Sequence, residues 1–378
     1  MQEKIKQFQD SCIGELHQLL ADLVAIPAPS GHEELRATFC KEWLEKQGAK
    51  GVYIDEALNC IYPINCEDRD DIVVFLAHTD TVFPDTTPFE LKSDGKNFYA
   101  PGVGDDTASL AVMLMVTKFI IQNNVKPNRG VLVVANACEE GLGNLKGTRK
   151  LMEDYAGRIK EFYSFDARYA HVYNRCVGSH RYEVECATKG GHSFAAFGNP
   201  NAIAELSALI ADLYSVQVPM KENCKTTYNV GSIEGGTSVN TIAQNAKMLY
   251  EYRSADAECL AIMQKHFEDA VARANARGTA KFTVKSVGIR PCGGEVDTEA
   301  LERMTQSAIA LCEKHTGTPC GRRSASTDCN IPMSLGIPAI CVGVYDGGGA
   351  HTREEFVIID SLPVGLKICF DLMLGYFD

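Results

Sequence analysis

Five short clusters along the chain carry residue types that bind cations or move protons. They are His78–Thr79–Asp80, Gly102–Val103–Gly104–Asp105–Asp106, Cys138–Glu139–Glu140–Gly141, Asp166 after Tyr163–Ser164–Phe165, and His351 after Gly347–Gly348–Gly349–Ala350. A His and an Asp two residues apart can divide labour. The imidazole binds a metal through one nitrogen, and a carboxylate holds the other N–H and sets the tautomer. In the second cluster the glycines let the backbone turn tightly. Two adjacent carboxylates repel an anion, so this is no phosphate loop, and a helix cap explains one Asp without requiring both. A cation fits better. Glu139 and Glu140 end an apolar run, where carboxylates are costly unless something positive or protic meets them. Consecutive side chains diverge there, so one can bind metal while the other faces substrate.

Each cluster alone has a blander meaning: a surface His, a capped helix, a solvated loop, a flexible glycine run. Together they supply two histidines and several carboxylates without a cysteine. That donor set suits paired Zn2+, with Co2+ or Mn2+ as alternatives. Charge counting agrees, because Asp105, Glu140, Asp166 and one bridging hydroxide give four negative charges against four positive. Such a metal pair generates hydroxide at neutral pH and polarises a carbonyl. Glu139, not needed as a ligand, is left as general base.

The elements that must position these residues read as an α/β fold. The runs IVVFLA, VLVVANA, EFYSF and PAICVGV are continuous, apolar and rich in β-branched residues. They suit a mainly parallel central sheet with helices on both faces. Each ends at or shortly before one of the clusters, and in open α/β sheets the ligand site lies beyond the carboxyl ends of the strands. Thr107 to Ile121 supplies one covering helix, and the N-terminal segment, with Leu16, Leu19, Leu20 and Leu23 on one stripe, supplies another. Ser30 and Glu33 match a capping box that opens a helix to about Gln47. From about His180 to Val287 the order changes to strand, helix, strand, strand, helix, strand, which makes a small sheet with two helices on one face. The expected organisation is a discontinuous catalytic domain, residues 1–179 and 289–378, interrupted by an inserted domain at 180–288.

The stretches AHTDTV, APGVGDDTASLAVML, ANACEEGLG, YSFDA, KGGHS, GGTSVNTIA and GGGAHTREEFV resemble the dinuclear-zinc aminoacylase family. That family includes carboxypeptidase G, peptidase T, the cytosolic dipeptidases and the succinyl-diaminopimelate desuccinylases. The resemblance covers nearly the whole chain, in order. It implies two Zn2+ per chain, with His78 and Asp166 on one metal, Glu140 and His351 on the other, and Asp105 bridging. It further implies Asp80 behind the ligands, Glu139 as the base that activates water and then protonates the leaving amine, and a cis peptide between Asp105 and Asp106. The insertion then corresponds to the family's ferredoxin-like lid, through which dimeric members pair, so a homodimer is expected. His192, in Gly190–Gly191–His192–Ser193, would reach the tetrahedral intermediate, often from the partner subunit. A His donor aimed at a developing oxyanion stabilises it. Asn240 and Arg253 match lid residues that hold a substrate carboxylate, a task suited to the bidentate Arg fork. Asp rather than Glu at position 166 resembles the di- and tripeptidases. Arg322, Arg323 and Asp328 lie in a segment matching the family's substrate loop and are candidate specificity contacts.

Composition narrows the partners. The 378 residues carry 37 Lys+Arg against 49 Asp+Glu, a formal net charge of -12. With no run of basic residues, a phosphate backbone is repelled and nucleic acid is not an expected partner. The longest apolar runs, such as Ile72–Ala77 and Val131–Ala135, fall far short of a membrane span, and the N-terminus lacks the apolar core of a signal peptide. Fifteen cysteines, without C-x-x-C spacing, read as reduced buried thiols in a cytoplasmic protein. Neither a complete G-x-S-x-G elbow nor an H-E-x-x-H pair occurs. The expected activity is aminopeptidase-like hydrolysis of the amide bond of short peptides. N-acyl-amino-acid deacylation at the same site is the alternative within enzymes, and a metal-free binding homologue the alternative outside them.

Overall fold

Ile72–His78 and Gly130–Asn136 are buried at every position, a pattern suited to a sheet covered on both faces. In the computed structural model, which describes residues 1–222 and 224–377, these two strands pair in parallel at the centre of an eight-stranded sheet. The strand order is Tyr53–Ile54, Cys60–Ile64, Gly130–Asn136, Ile72–His78, Ile159–Ser164, Ala339–Val342, His171–Cys176, Gly321–Ala325. Gly130–Asn136 through Ala339–Val342 run parallel. The sheet turns antiparallel where Cys60–Ile64 joins on one side and His171–Cys176 on the other.

The two-residue period of a strand divides the core. Val73, Phe75 and Ala77 pack with helices Ile13–Val24, Ser109–Gln122 and Leu362–Leu374, while Ile72, Val74 and Leu76 pack with Lys146–Asp154 and Asn330–Ser334. Each such buried side chain stabilises the fold by about 1.5–3 kcal/mol. The chain divides into two compact units, one of Met1–Cys176 with the chain from Gly294 onward, the other Val177–Gly293.

The second unit is a four-stranded antiparallel sheet, ordered Thr226–Gly235, Asn245–Ser254, Gly178–Ala187, Lys281–Arg290. Helices Ala202–Leu213 and Ala257–Ala276 close its core around Val184, Met248, Tyr250, Leu206 and Phe267. Asn201 caps the first helix by accepting from the Ile203 amide, and Asp256 caps the second by accepting from the Cys259 amide. This is the ferredoxin-like α+β arrangement expected of the insertion.

Three local expectations are corrected. The N-terminal helix is two helices, Gln2–Ser11 and Ile13–Val24, which meet at Cys12. The helix expected from Thr107 begins at Ser109, after an irregular turn, Val103–Ala108, in which Asp105 and Asp106 are non-helical. The helix Glu34–Lys46 has no side-chain cap. Ser30 and Glu33 hydrogen-bond elsewhere, as described below. Helix Lys146–Asp154 and strands His171–Cys176 and Gly321–Ala325 escaped the reading because they are short and largely polar. All fifteen cysteines are free thiols, and only Cys224 and Cys320 are partly exposed. No helix among the described residues is long and apolar enough to cross a membrane.

Candidate metal centre

His78 ends its strand and is 1% exposed. Its Nε2 lies 3.1 Å from Asp105 Oδ1, and Asp105 Oδ2 lies 3.1 Å from His351 Nε2. His351 Nε2 is also 3.2 Å from Glu140 Oε1. Donor atoms of His78, Asp105 and Asp166 lie within 4.8 Å of one another, as do those of Asp105, Glu140 and His351. The two groups share Asp105. A third group, His78 with Glu139 and Glu140, brings the expected base to the same place. Five separate chain segments thus converge near the carboxyl ends of the parallel strands.

The backbone around these side chains has unusual local requirements. Gly102 has φ +71°, and a Cβ at Gly104 would meet Tyr345 at 2.8 Å, so the G-V-G spacing answers to the site. The Asp105–Asp106 peptide is cis. Cys138, Ala167 and His351 are non-glycine residues with φ of +61°, +66° and +64°, each at or beside a candidate ligand or the expected base. Such outliers cost free energy and persist where the surroundings over-determine them.

Buried charged side chains supply that determination. Glu355, 1% exposed, accepts from the amides of Gly102 at 2.8 Å, Gly104 at 2.9 Å and Asp105 at 2.7 Å. Arg36, 2% exposed, donates to the Thr79 carbonyl at 2.7 Å, the Ile26 carbonyl at 2.9 Å and Thr107 Oγ1 at 3.2 Å. Burial lowers its pKa only to about 10, so it remains a cation. The Asp106 carboxylate accepts from the His78 amide at 3.0 Å, which gives the second Asp of the pair a structural duty. Asp80 divides its polar atoms. Its backbone carbonyl lies 3.0 Å from His78 Nδ1, its carboxylate 3.5 Å. That carboxylate accepts chiefly from the amides of Glu139 at 3.0 Å and Glu140 at 2.9 Å and from the Ser30 hydroxyl at 2.6 Å. Glu355 and Arg36 had no local signal in the sequence.

The electrostatics fit a bound cation pair. Burial, then the charge of Asp105, pushes the Asp166 carboxyl up to about 7, and the same two causes raise Glu140. For Asp105, burial is outweighed by the imidazoles of His351 and His78, which hold its carboxyl well below the usual carboxylate range. Carboxylates crowded in a buried site repel one another unless positive charge intervenes. Imidazole and carboxylate donors without thiolate match divalent zinc, cobalt or manganese.

His192, Asn240 and Arg253 lie in the inserted unit. His192 is exposed, and the short strand Gly191–His192 pairs with Thr241–Ile242, while the Ser193 amide donates to the Asn240 carbonyl at 2.9 Å. His192 and Asn240 are therefore neighbours. His192 Nδ1 lies 3.3 Å from the amides of Phe194 and Ala195. Accepting there leaves the ring proton on Nε2. Arg253 stands opposite Ser179 and Thr227 near the end of its strand.

The substrate-loop expectations change. Asp328 is fully buried: Asn136 Nδ2 lies 3.0 Å from each of its oxygens, and Thr148 Oγ1 also donates to it. It braces the strand end next to His78 and is no direct specificity contact. Arg322 is paired with Glu302, and Arg323 is exposed on the same strand.

Residues 74–375 match peptidase family M20/M25/M40. Protein YqjE of Bacillus subtilis (strain 168), uncharacterized, is 24% identical over 367 residues, 90% of this chain and 92% of that protein. Carboxypeptidase G2 of Pseudomonas sp. (strain RS-16) is 24% identical over 314 residues, 80% of this chain and 73% of that enzyme. Among solved structures, a tripeptidase from Staphylococcus aureus shares the fold with a TM-score of 0.75 at 23% identity, covering 95% of this chain and 98% of that one. With matching fold and matching stretches along most of its length, the chain belongs to the M20/M25/M40 peptidase family and is a hydrolase.

Proposed function

We propose that the protein is a two-zinc aminopeptidase acting on short peptides, of the di- or tripeptidase kind. The observation that carries this reading is the position of Asp105 between two imidazoles, 3.1 Å from each, with Glu140, Asp166 and Glu139 around it. His78 and Asp166 would hold one Zn2+, Glu140 and His351 the other, and Asp105 would bridge them. When bound, the metal pair supplies hydroxide at neutral pH and polarises the substrate carbonyl. Glu139 takes the proton of the attacking water and passes it to the leaving amine. Its burial and its place beside His78 and Glu140 support that role. Asp80 holds the amides of Glu139 and Glu140 and, through its carbonyl, the tautomer of His78.

In the inserted unit, acting as lid, His192 would donate its Nε2–H to the developing oxyanion, and Asn240 and Arg253 would bind the substrate carboxylate. The same unit would pair two copies, with Thr226–Gly235 as one of the two edge strands of its sheet among the described residues. The abundance of free thiols supports a cytoplasmic location. The lean toward peptides over N-acyl amino acids rests on Asp at position 166.

A panel of di- and tripeptides and N-acyl amino acids tests the reading. The zinc-loaded protein should contain about two metals per chain and release free amino acids from the peptides. Glu139→Ala should keep the metals and lose about 10²- to 10⁴-fold in kcat. Turnover of N-acyl amino acids alone would replace the peptidase by the deacylase, and failure to bind zinc would reject both.

A further inference from the structure

The loop after Gly130–Asn136 must send two successive carboxylates to the site, and it does so through Cys138 in the left-handed region. Three consecutive amides of this loop end on side-chain carboxylates. The Cys138 amide donates to Glu33 Oε1 at 3.1 Å, the Glu139 amide to Asp80 Oδ1 at 3.0 Å, and the Glu140 amide to Asp80 Oδ2 at 2.9 Å. Glu33 Oε1 also accepts from the Gly31 amide at 2.8 Å, and the Cys138 thiol lies 3.5 Å from it. Three chain segments are tied together here, because Ser30 Oγ lies 2.6 Å from Asp80 Oδ2 and 3.2 Å from the Glu140 carbonyl oxygen.

Glu33 is fully buried, and its Oε2 has no hydrogen-bond partner among the described residues. Burying a carboxyl with one oxygen unmatched works against stability. Nor does it cap the helix that follows, which has no side-chain cap. What the side chain does achieve is to hold the first amide of the loop that presents Glu139 and Glu140.

We propose that Glu33 is a positioning residue for amide hydrolysis: by accepting the Cys138 amide it sets, with Asp80, the direction of the loop carrying the base. This rests on Glu139 acting as base, as proposed above. Groups that orient a reacting residue commonly matter by 10- to 100-fold, and a shift of about 1 Å in a reacting group can cost as much.

Two near-isosteric substitutions separate the acceptor from the volume. Glu33→Met fills the space without an acceptor; Glu33→Gln keeps a carbonyl that can take the Cys138 amide. In Glu33→Met, kcat on the best amide substrate should fall roughly 10- to 100-fold with KM within about 3-fold, at full zinc content. Hydrogen exchange over Cys138–Glu140 should accelerate. Glu33→Gln should restore most of kcat and the slow exchange. Wild-type kcat per folded, zinc-loaded Glu33→Met molecule overturns the proposal, because a purely structural role would lower yield or melting temperature alone. A Gln variant as impaired as Met also overturns it. Should wild type hydrolyse no peptide or acyl amide, the functional reading fails, and the exchange comparison still decides what Glu33 does. Should Glu33→Met not fold, fast exchange of Cys138–Glu140 in the wild type would overturn the proposal.

Discussion

Two sets of loops in this protein carry the residues to which roles in hydrolysis are assigned, and they are built differently. In the first unit, the turn at Gly102–Asp105 and the loop at Cys138–Glu140 have their amides taken up by the buried carboxylates of Glu355, Asp80 and Glu33. In the inserted unit, the segments around His192 and Asn240 are held by their own backbone and short side-chain contacts and expose Phe194 at 87%, Phe197 at 91% and Val239 at 102%. Groups that must meet a cation within a few tenths of an ångström are over-determined by charged hydrogen bonds in a low-dielectric interior. Groups that meet a variable substrate, or another copy of the chain, can be left to adapt. The contrast separates residues whose geometry is set before binding from residues whose geometry can be set by it.

Removing a clamp should have the largest effect. Glu355→Ala leaves three amides without their acceptor, at a cost of about 2–4 kcal/mol. It should also weaken zinc binding and lower activity by roughly 10- to 100-fold, read by thermal unfolding with metal titration. Wild-type zinc affinity in that variant would break the comparison at its centre.

A second effect is electrostatic and belongs to the metal-free protein. Burial raises Asp166 and Glu355 to about 7 each, and Glu140 is raised as well. In the unfolded chain these groups ionise near pH 4. The folded state therefore retains protons that the unfolded state has released, and stability falls as pH rises from about 4.5 to about 7. His351, raised to about 11 by Asp105 and Glu140, has the same sign above about pH 6.5, since its stabilisation is complete below its unfolded pKa and fades as pH climbs toward the folded one. After chelation, the melting temperature of wild type relative to Asp166→Asn should decline over that range, and zinc, which Asp166 would help to hold, should reverse the decline. A relative rise would show that the acids are not crowded as the structure places them.

The smallest effect should come from the exposed loops. Phe197→Ser removes a side chain that is almost wholly in water, so stability should change by no more than about 0.5 kcal/mol. Any kinetic change should appear in KM, with kcat retained. A large loss of stability would mean that this loop is as rigidly held as the site in the first unit.

The clusters at His78, Asp105, Glu139, Glu140, Asp166 and His351 were legible because their residue types are costly at the ends of apolar strands without a cation to receive them. The inserted unit was legible from the order of its strands and helices. The clamps were not. Ser30 and Glu33 match the spacing of a capping box, yet Glu33 binds an amide 105 residues away and Glu355 an amide 250 residues away. Local pattern sees a carboxylate and an available helix end. It does not see which backbone N–H groups a fold leaves unpaired. Asp328 differs in the opposite direction: expected as a candidate specificity contact, it is fully buried against Asn136 and Thr148.

What the chain by itself determined is the chemistry on offer: imidazole and carboxylate donors at strand ends, one carboxylate to spare, and an α/β frame to converge them. Residue type and local periodicity encode that much. Only the tertiary structure showed which further carboxylates fasten the backbone. A carboxylate's role is set by what faces it, and for Glu33, Asp106 and Glu355 that is a peptide N–H held in place by distant parts of the chain.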